Sequence, residues 1–195
     1  MTYRERGRAA HQWSWRWEDV QQLVIAPRRL RVLTYQDSRW KLGRDREHRF
    51  DLEGAGGFEA VWVMLRDRMD QRLVAALAMP QGERWWSAPV KQLRPLGGRQ
   101  GELIATSSGL VFSTPAPGAS RTWRWRDLEN LSRTGPFLLE VTTYERPASG
   151  YGGLKTFLFQ LKRLLEDAAY RRARMHLERH QGLKTFLFLE GRLEQ

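Results

Sequence analysis

The densest grouping of ligand-binding side chain types lies between residues 91 and 99, where Lys91, Arg94, Gly97, Gly98 and Arg99 fall close together. Ammonium and guanidinium groups pair with phosphate oxygens, and adjacent glycines let backbone N–H groups approach an anion. These five residues are therefore the candidate site for an acidic headgroup or another phosphate. They fit an ordinary basic strand and turn as well. A second grouping is aromatic: Trp13, Trp15 and Trp17, then Trp123 and Trp125, with Trp85 and Trp86, lie beside Arg16 and Arg124. Such rows stack the bases of single-stranded nucleic acid. Alternate tryptophans on a strand also share one face, and in a small core they supply most of the buried surface. Core packing is the reading adopted for them, and it sends Arg16 outward.

Catalytic chemistry finds no constellation. The four histidines are His11, His48, His176 and His180. His176 and His180 have the spacing of two ligands on one helix face, but no acidic or thiol partner accompanies them and Arg174 and Arg179 oppose a cation, so no metal site is expected. With no cysteine in the chain, disulfides, thiolate metal sites and Cys nucleophiles are excluded. The run Gly54-Ala-Gly-Gly57 lacks the rest of any phosphate-loop motif and reads as a connection. The clusters Arg44-Asp-Arg46 and Arg66-Asp-Arg68 read as solvated charge. No catalytic residue and no cofactor is expected, and the chain is read as a non-enzyme.

The 195 residues carry 33 Lys and Arg against 22 Asp and Glu, a net charge of +11. That surface attracts nucleic acid, acidic lipid or an acidic protein without choosing among them. No secretory leader is read in the first ten residues, and no apolar run approaches the roughly 20 residues that cross a bilayer. A cytoplasmic protein is expected, with peripheral contact to a membrane as a further option.

These residues must be positioned by a repeated unit. The segment from Trp15 to Leu23, Trp-Arg-Trp-Glu-Asp-Val-Gln-Gln-Leu, matches Trp-Arg-Trp-Arg-Asp-Leu-Glu-Asn-Leu from Trp123 to Leu131. Pro27, Leu30, Val32, Thr34 and Tyr35 then face Pro136, Leu139, Val141, Thr143 and Tyr144, and Phe50 and Leu52 face Phe159 and Leu161. The alternation in both copies is that of strands with one buried face. Turn chemistry lies at Asp37–Asp45 in the first copy and at Pro147–Gly153 in the second. A helical spacing follows over Phe58–Met69, and Leu65–Met69 is aligned with Arg171–Met175. Only the second copy has opening strands, read at Val90–Leu96, Gly101–Thr106 and Leu110–Thr114. Either those strands are absent from the first copy, leaving an open edge that invites pairing, or another chain supplies them, or the reading frame starts late; a dimer, or a first module held up by packing against the second, is expected. Finally, Gly153–Phe159 recurs without change as Gly182–Phe188, beyond the expected end of the last helix, as an added edge strand, an aggregation-prone tail or an artefact.

The Trp-Arg-Trp-x-Asp-Leu-x-x-Leu unit, with Leu-Glu-Val-Thr-Thr-Tyr-Glu and Phe-x-Leu before a closing helix, resembles bacterial pleckstrin-homology-like (PH-like) modules that occur in tandem. The resemblance implies a mainly β, barrel-like α+β fold: two modules, each a strongly bent antiparallel sheet of about seven strands closed by a C-terminal amphipathic helix. The expected boundaries are 1–80 for an incomplete first module, 81–180 for a complete second one, and 181–195 for a tail. The function expected is that of a non-enzymatic binding or assembly scaffold, with a protein partner or a second copy of the chain engaged through the open edge. The alternative is recognition of an anionic, phosphoinositide-like headgroup through Lys91–Arg99, and a further alternative is non-specific nucleic-acid binding by charge. Fold alone does not decide among these.

Overall fold

The structure is a computed structural model and describes residues 2–4, 12–38, 45–52, 57–69, 72–147 and 153–193. The features expected at Gly54–Gly56, at Arg44 and His11, and at the tips of the turns after Asp37 and Pro147 lie outside the described residues. The chain opens with a short hairpin, β1 (Thr2–Arg4) and β2 (Gln12–Ser14), followed by β3 (Val20–Ala26), β4 (Arg29–Asp37), β5 (Asp45–Asp51), helix α1 (Gly57–Arg66) and β6 (Leu73–Ala75). The second part holds β7 (Arg84–Leu93), β8 (Gly98–Thr106), β9 (Gly109–Ser113), β10 (Arg121–Arg124), a 3-10 turn at Trp125–Asp127, β11 (Leu128–Gly135), β12 (Leu138–Thr143), β13 (Lys155–Leu161) and helix α2 (Asp167–Leu193). The fold is mainly β, as expected.

Among the described residues, the strands on either side of residue 80 are joined in a common sheet. One open sheet of eleven strands runs in the order β11-β12-β13-β7-β8-β9-β10-β6-β3-β4-β5. The join is β6, which is parallel to β3 and antiparallel to β10. Thr122 of β10 reinforces it, donating to the Leu77 carbonyl at 2.7 Å and accepting from the Met79 amide at 2.9 Å. Strand β3 would otherwise leave a row of backbone donors and acceptors unmet, and β6 satisfies them on one side while meeting β10 on the other.

The sequence repeat is reproduced bond by bond. In the first copy Asp19 accepts from the Arg16 amide (3.3 Å), and in the second Asp127 accepts from the Arg124 amide (3.0 Å). Tyr35 N donates to Asp19 O as Tyr144 N donates to Asp127 O, and Leu52 N to Arg28 O as Leu161 N to Phe137 O. The hydroxyls of Thr34 and Thr143 donate to the carbonyls of Arg46 and Lys155, each at 3.2 Å. Both copies carry a bulge at the same place, Val20/Gln22 and Leu128/Asn130. The second copy has one extra residue between Leu131 and Pro136, and a second bulge at Arg133/Gly135 absorbs it. A bulge accommodates an insertion without turning the core face outward, which a register slip would do.

Both cores confirm the inward tryptophans. Trp15 is packed with Val20, Leu23, Ile25, Leu30, Val32, Leu65 and Met69, and Trp123 and Trp125 with Leu128, Leu131, Leu139, Val141, Phe157 and Phe159. Arg16 points to solvent beside Glu18. The alignment of Leu65–Met69 with Arg171–Met175 fails, because Met69 is fully buried whereas Met175 is 51% exposed. On α2 the buried side is Tyr170, Ala173 and Leu177.

The backbone of Gly182–Phe188 belongs to α2, so no added strand is formed there and the helix passes the expected end at residue 180. The same seven residues are mostly strand in their first occurrence, since β13 covers Lys155–Phe159. Local propensity does not decide such a segment; the strands available beside it do.

Candidate functional site

The residues proposed from sequence sit on the β7–β8 hairpin, but not as one loop. Lys91 lies within β7, Gly98 and Arg99 within β8, and only Arg94–Gly97 form the turn. The strand starts at Arg84, earlier than Val90, and stops at Leu93, short of Leu96. The Arg94 amide donates to the Gly97 carbonyl at 3.1 Å, which closes the turn. Gly97 has a φ of +76°, a conformation that favours glycine. A Cβ on Gly98 would meet Lys91 Cε at 2.6 Å and the Gln92 carbonyl at 2.8 Å. The two glycines therefore have structural duties, one for turn geometry and one for the passage of the Lys91 stem.

Alternation separates the cations. Lys91 is opposite Gln100 on β8 and Gln160 on β13, on the outer sheet face. Arg99 is opposite Gln92, which is buried, so it points to the inner side at the end of the core. Arg94 and Arg99 are brought together, and Lys91 is not. Arg121 of β10 joins the inner pair, since burial first, and then the charges of Arg94 and Arg121, hold Arg99 below the usual guanidinium range. Arg121 is remote in sequence, and only the meander from β8 through β9 to β10 brings it here; its basic charge was no signal in so basic a chain. Arg121 already has the Glu145 carboxylate 3.7 Å from its Nε, so an anion would act chiefly on Arg94 and Arg99, relieving their mutual repulsion.

The sequence reading also passed over Leu96. It sits at the turn tip with 94% of its surface exposed. Below it, on the outer face, Leu93 pairs with Leu158, itself 36% exposed. An apolar point thus stands at the tip of a hairpin that carries Lys91 on its outer face, Arg94 at the turn and Arg99 on its inner face. Lys162, which donates to Gln100 Oε1 at 2.5 Å, extends the basic rim.

A larger cleft of about 730 Å³ lies between the repeats, bordered by Gln21, Arg31, Arg49, Glu145, Arg146 and Lys155. Its charges largely answer one another. Glu47 accepts from Arg49 at 2.9 Å and lies 3.6 Å from Arg31, and Glu145 accepts from Lys155 at 3.0 Å. Arg124, which the sequence places beside the tryptophans, and its neighbour Arg126 donate to the Arg66 carbonyl at the end of α1 at 3.0 and 3.3 Å. They cap the negative end of that helix and are spent on holding the two repeats together.

No family model matches the chain, and no curated protein matches it. Among solved structures, the chain is similar to the C-terminal domain of an unknown protein from Leishmania infantum, at 15% identity and a TM-score of 0.35, over 63% of this chain and 95% of that one. No helix among the described residues is long and apolar enough to cross a membrane.

Proposed function

We propose that the chain is a non-enzymatic binding module of PH-like type that docks on anionic, phosphate-bearing lipid surfaces through the β7–β8 hairpin. The observation that carries the reading is Leu96, almost wholly exposed and flanked by Arg94, Arg99 and Lys91. A lone leucine held out in water gains free energy by entering an apolar phase, and the cations around it gain about 1 kcal/mol each near an acidic bilayer. Seven strands followed by a helix over 84–193 agree with the PH-like resemblance. The decisive measurement is co-sedimentation with neutral, generically anionic and phosphoinositide-containing vesicles at low and near-physiological salt. Headgroup-selective binding that survives salt supports the proposal. Binding that salt erases on every vesicle leaves only charge attraction, of the kind that would hold nucleic acid non-specifically as well.

A second reading, a scaffold for a protein partner or a second copy, rests on the edge of β5. Its counterpart β13 is covered by β7, whereas β5 ends the sheet. The strand reads Asp-Arg-Glu-His-Arg-Phe-Asp, and charges along an edge are a common defence against pairing. That places the scaffold second. A concentration-dependent dimer in analytical ultracentrifugation, lost on replacing Arg49 by Pro, would reverse the order.

A further inference from the structure

We propose that His176 and His180 on α2 chelate a divalent transition-metal ion, of the imidazole-preferring class of Cu²⁺, Ni²⁺ and Zn²⁺. Their Nε2 atoms lie 3.1 Å apart, with ring centroids at 4.7 Å. Two nitrogens bound at about 2.0–2.1 Å to one ion lie roughly 2.9–3.4 Å apart for angles between square and tetrahedral, so the rings already stand at chelating distance. As they stand, one Nε2–H donates to the other Nε2. A metal ion takes that place once both rings carry their proton on Nδ1, a change of tautomer with no net proton released.

The packing holds one ligand and leaves the other open. His176 is wedged edge-on against Trp85 and Trp125, with centroids at 5.0 and 5.4 Å, and those two indoles stack on each other at 5.6 Å. The ring that would bind first is therefore positioned at little further entropic cost. His180 is exposed, so the remaining coordination positions face water.

The surroundings select the class of ion. Among the described residues no third His, Cys, Asp or Glu joins the pair. Hard cations such as Ca²⁺ and Mg²⁺ need several oxygen ligands and find none. Arg172 lies over the Trp85 ring and pairs with Glu83, and Arg174 pairs with Glu178. Those two charges are answered by carboxylates, and the remaining repulsion from Arg179 acts on every dication, so only ions that bond strongly to imidazole nitrogen overcome it, with Cu²⁺ ahead of Ni²⁺ and Zn²⁺. The chelate would span one turn of α2 just before Gly182.

The test uses the full chain without a histidine tag, titrated with Cu²⁺ while tryptophan fluorescence is followed. Saturable quenching with one ion per chain is expected, because Trp85 and Trp125 adjoin the site. His176→Ala and His180→Ala should each weaken it at least about tenfold, and His48→Ala should not. His180→Ala is the decisive variant, since the exposed ring can be removed without disturbing the core, and circular dichroism checks that the variant stays folded. Zn²⁺, followed by calorimetry, should show the same dependence on both rings without quenching. Quenching that does not saturate, or that persists unchanged in His180→Ala, overturns the proposal.

Discussion

His48 meets Trp15 edge-on at 4.8 Å, in the position where Phe157 meets Trp123 at 4.9 Å one repeat later. An imidazole thus fills a place in the first core that a phenyl ring fills in the second. Its Nε2 is buried and has no hydrogen-bond partner among the described residues, so the first repeat carries a polar group in a position built for an apolar one.

Stability of the first repeat should fall on acidification. Burial, and then the charge of Arg46, holds the His48 imidazole below its ordinary value. Unfolding returns it to about 6.5, so the unfolded state binds more protons as the pH drops past that point. The contribution is fully present above about pH 6.5 and is lost as the pH falls toward the folded value. His176, also lowered, chiefly by burial and then by His180 and Arg179, acts in the same direction. The urea midpoint of the natural chain should therefore drop between pH 7.5 and 5.5. His48→Phe should raise it and flatten the slope; an unchanged slope would show that His48 is not the titrating group.

Vesicle binding should divide into an apolar and an ionic part. Leu96→Ser should weaken binding to acidic vesicles by about tenfold or more, the loss of a leucine side chain from an apolar phase being about 1.5–3 kcal/mol. It should leave the salt dependence as it was. Arg94→Gln with Arg99→Gln should weaken binding and reduce the salt dependence, at about 1 kcal/mol per cation. Sedimentation at two salt concentrations separates the effects, and equal behaviour of the two variants would count against an inserted Leu96.

Glu145 should prove costly to neutralise. It is buried, accepts from Trp123 Nε1 at 2.7 Å and Lys155 Nζ at 3.0 Å, and lies 3.7 Å from Arg121 Nε. Glu145→Gln keeps the size but leaves two partly buried cations without their counter-charge, a loss of about 3 kcal/mol for a broken buried pair. Denaturant unfolding measures it, and a change under about 0.5 kcal/mol, as at a plain surface site, would refute the buried network.

Unfolding should be a single transition that Arg124→Ala divides. Arg124 grips Asp127 through Nε at 2.7 Å and Nη2 at 2.8 Å, and it also reaches the Arg66 carbonyl. Removing it loosens the second repeat and uncaps α1 of the first. Calorimetry should show one peak for the natural chain and two, or one markedly broadened, for the variant. A single sharp peak at lower temperature would mean that β6 alone couples the repeats.

Much of the architecture was legible because it depends on local pattern. The period of two in Leu30–Thr34 and Leu139–Thr143 specified inward faces, and the repeated Trp-Arg-Trp-x-Asp unit announced a repeat; that its Asp accepts from the backbone in both copies only the structure showed. The basic cluster at residues 91–99 was also visible, since charge and glycine content are read directly. Its division into two faces was not, because Lys91 and Arg99 are sorted by a pairing register that depends on where the turn closes.

What only the tertiary structure decided are relations between residues far apart in the chain. Arg121 is brought near Arg99 by a meander of three strands, and β6 joins the strands of both repeats into one sheet by satisfying backbone groups of each. Gly153–Phe159 and Gly182–Phe188 make the point most directly. Identical in sequence, the first is built into a strand between β12 and β7 and the second continues a helix. Backbone hydrogen bonds must be met by whatever partner is at hand, and which partner is at hand is a property of the whole fold.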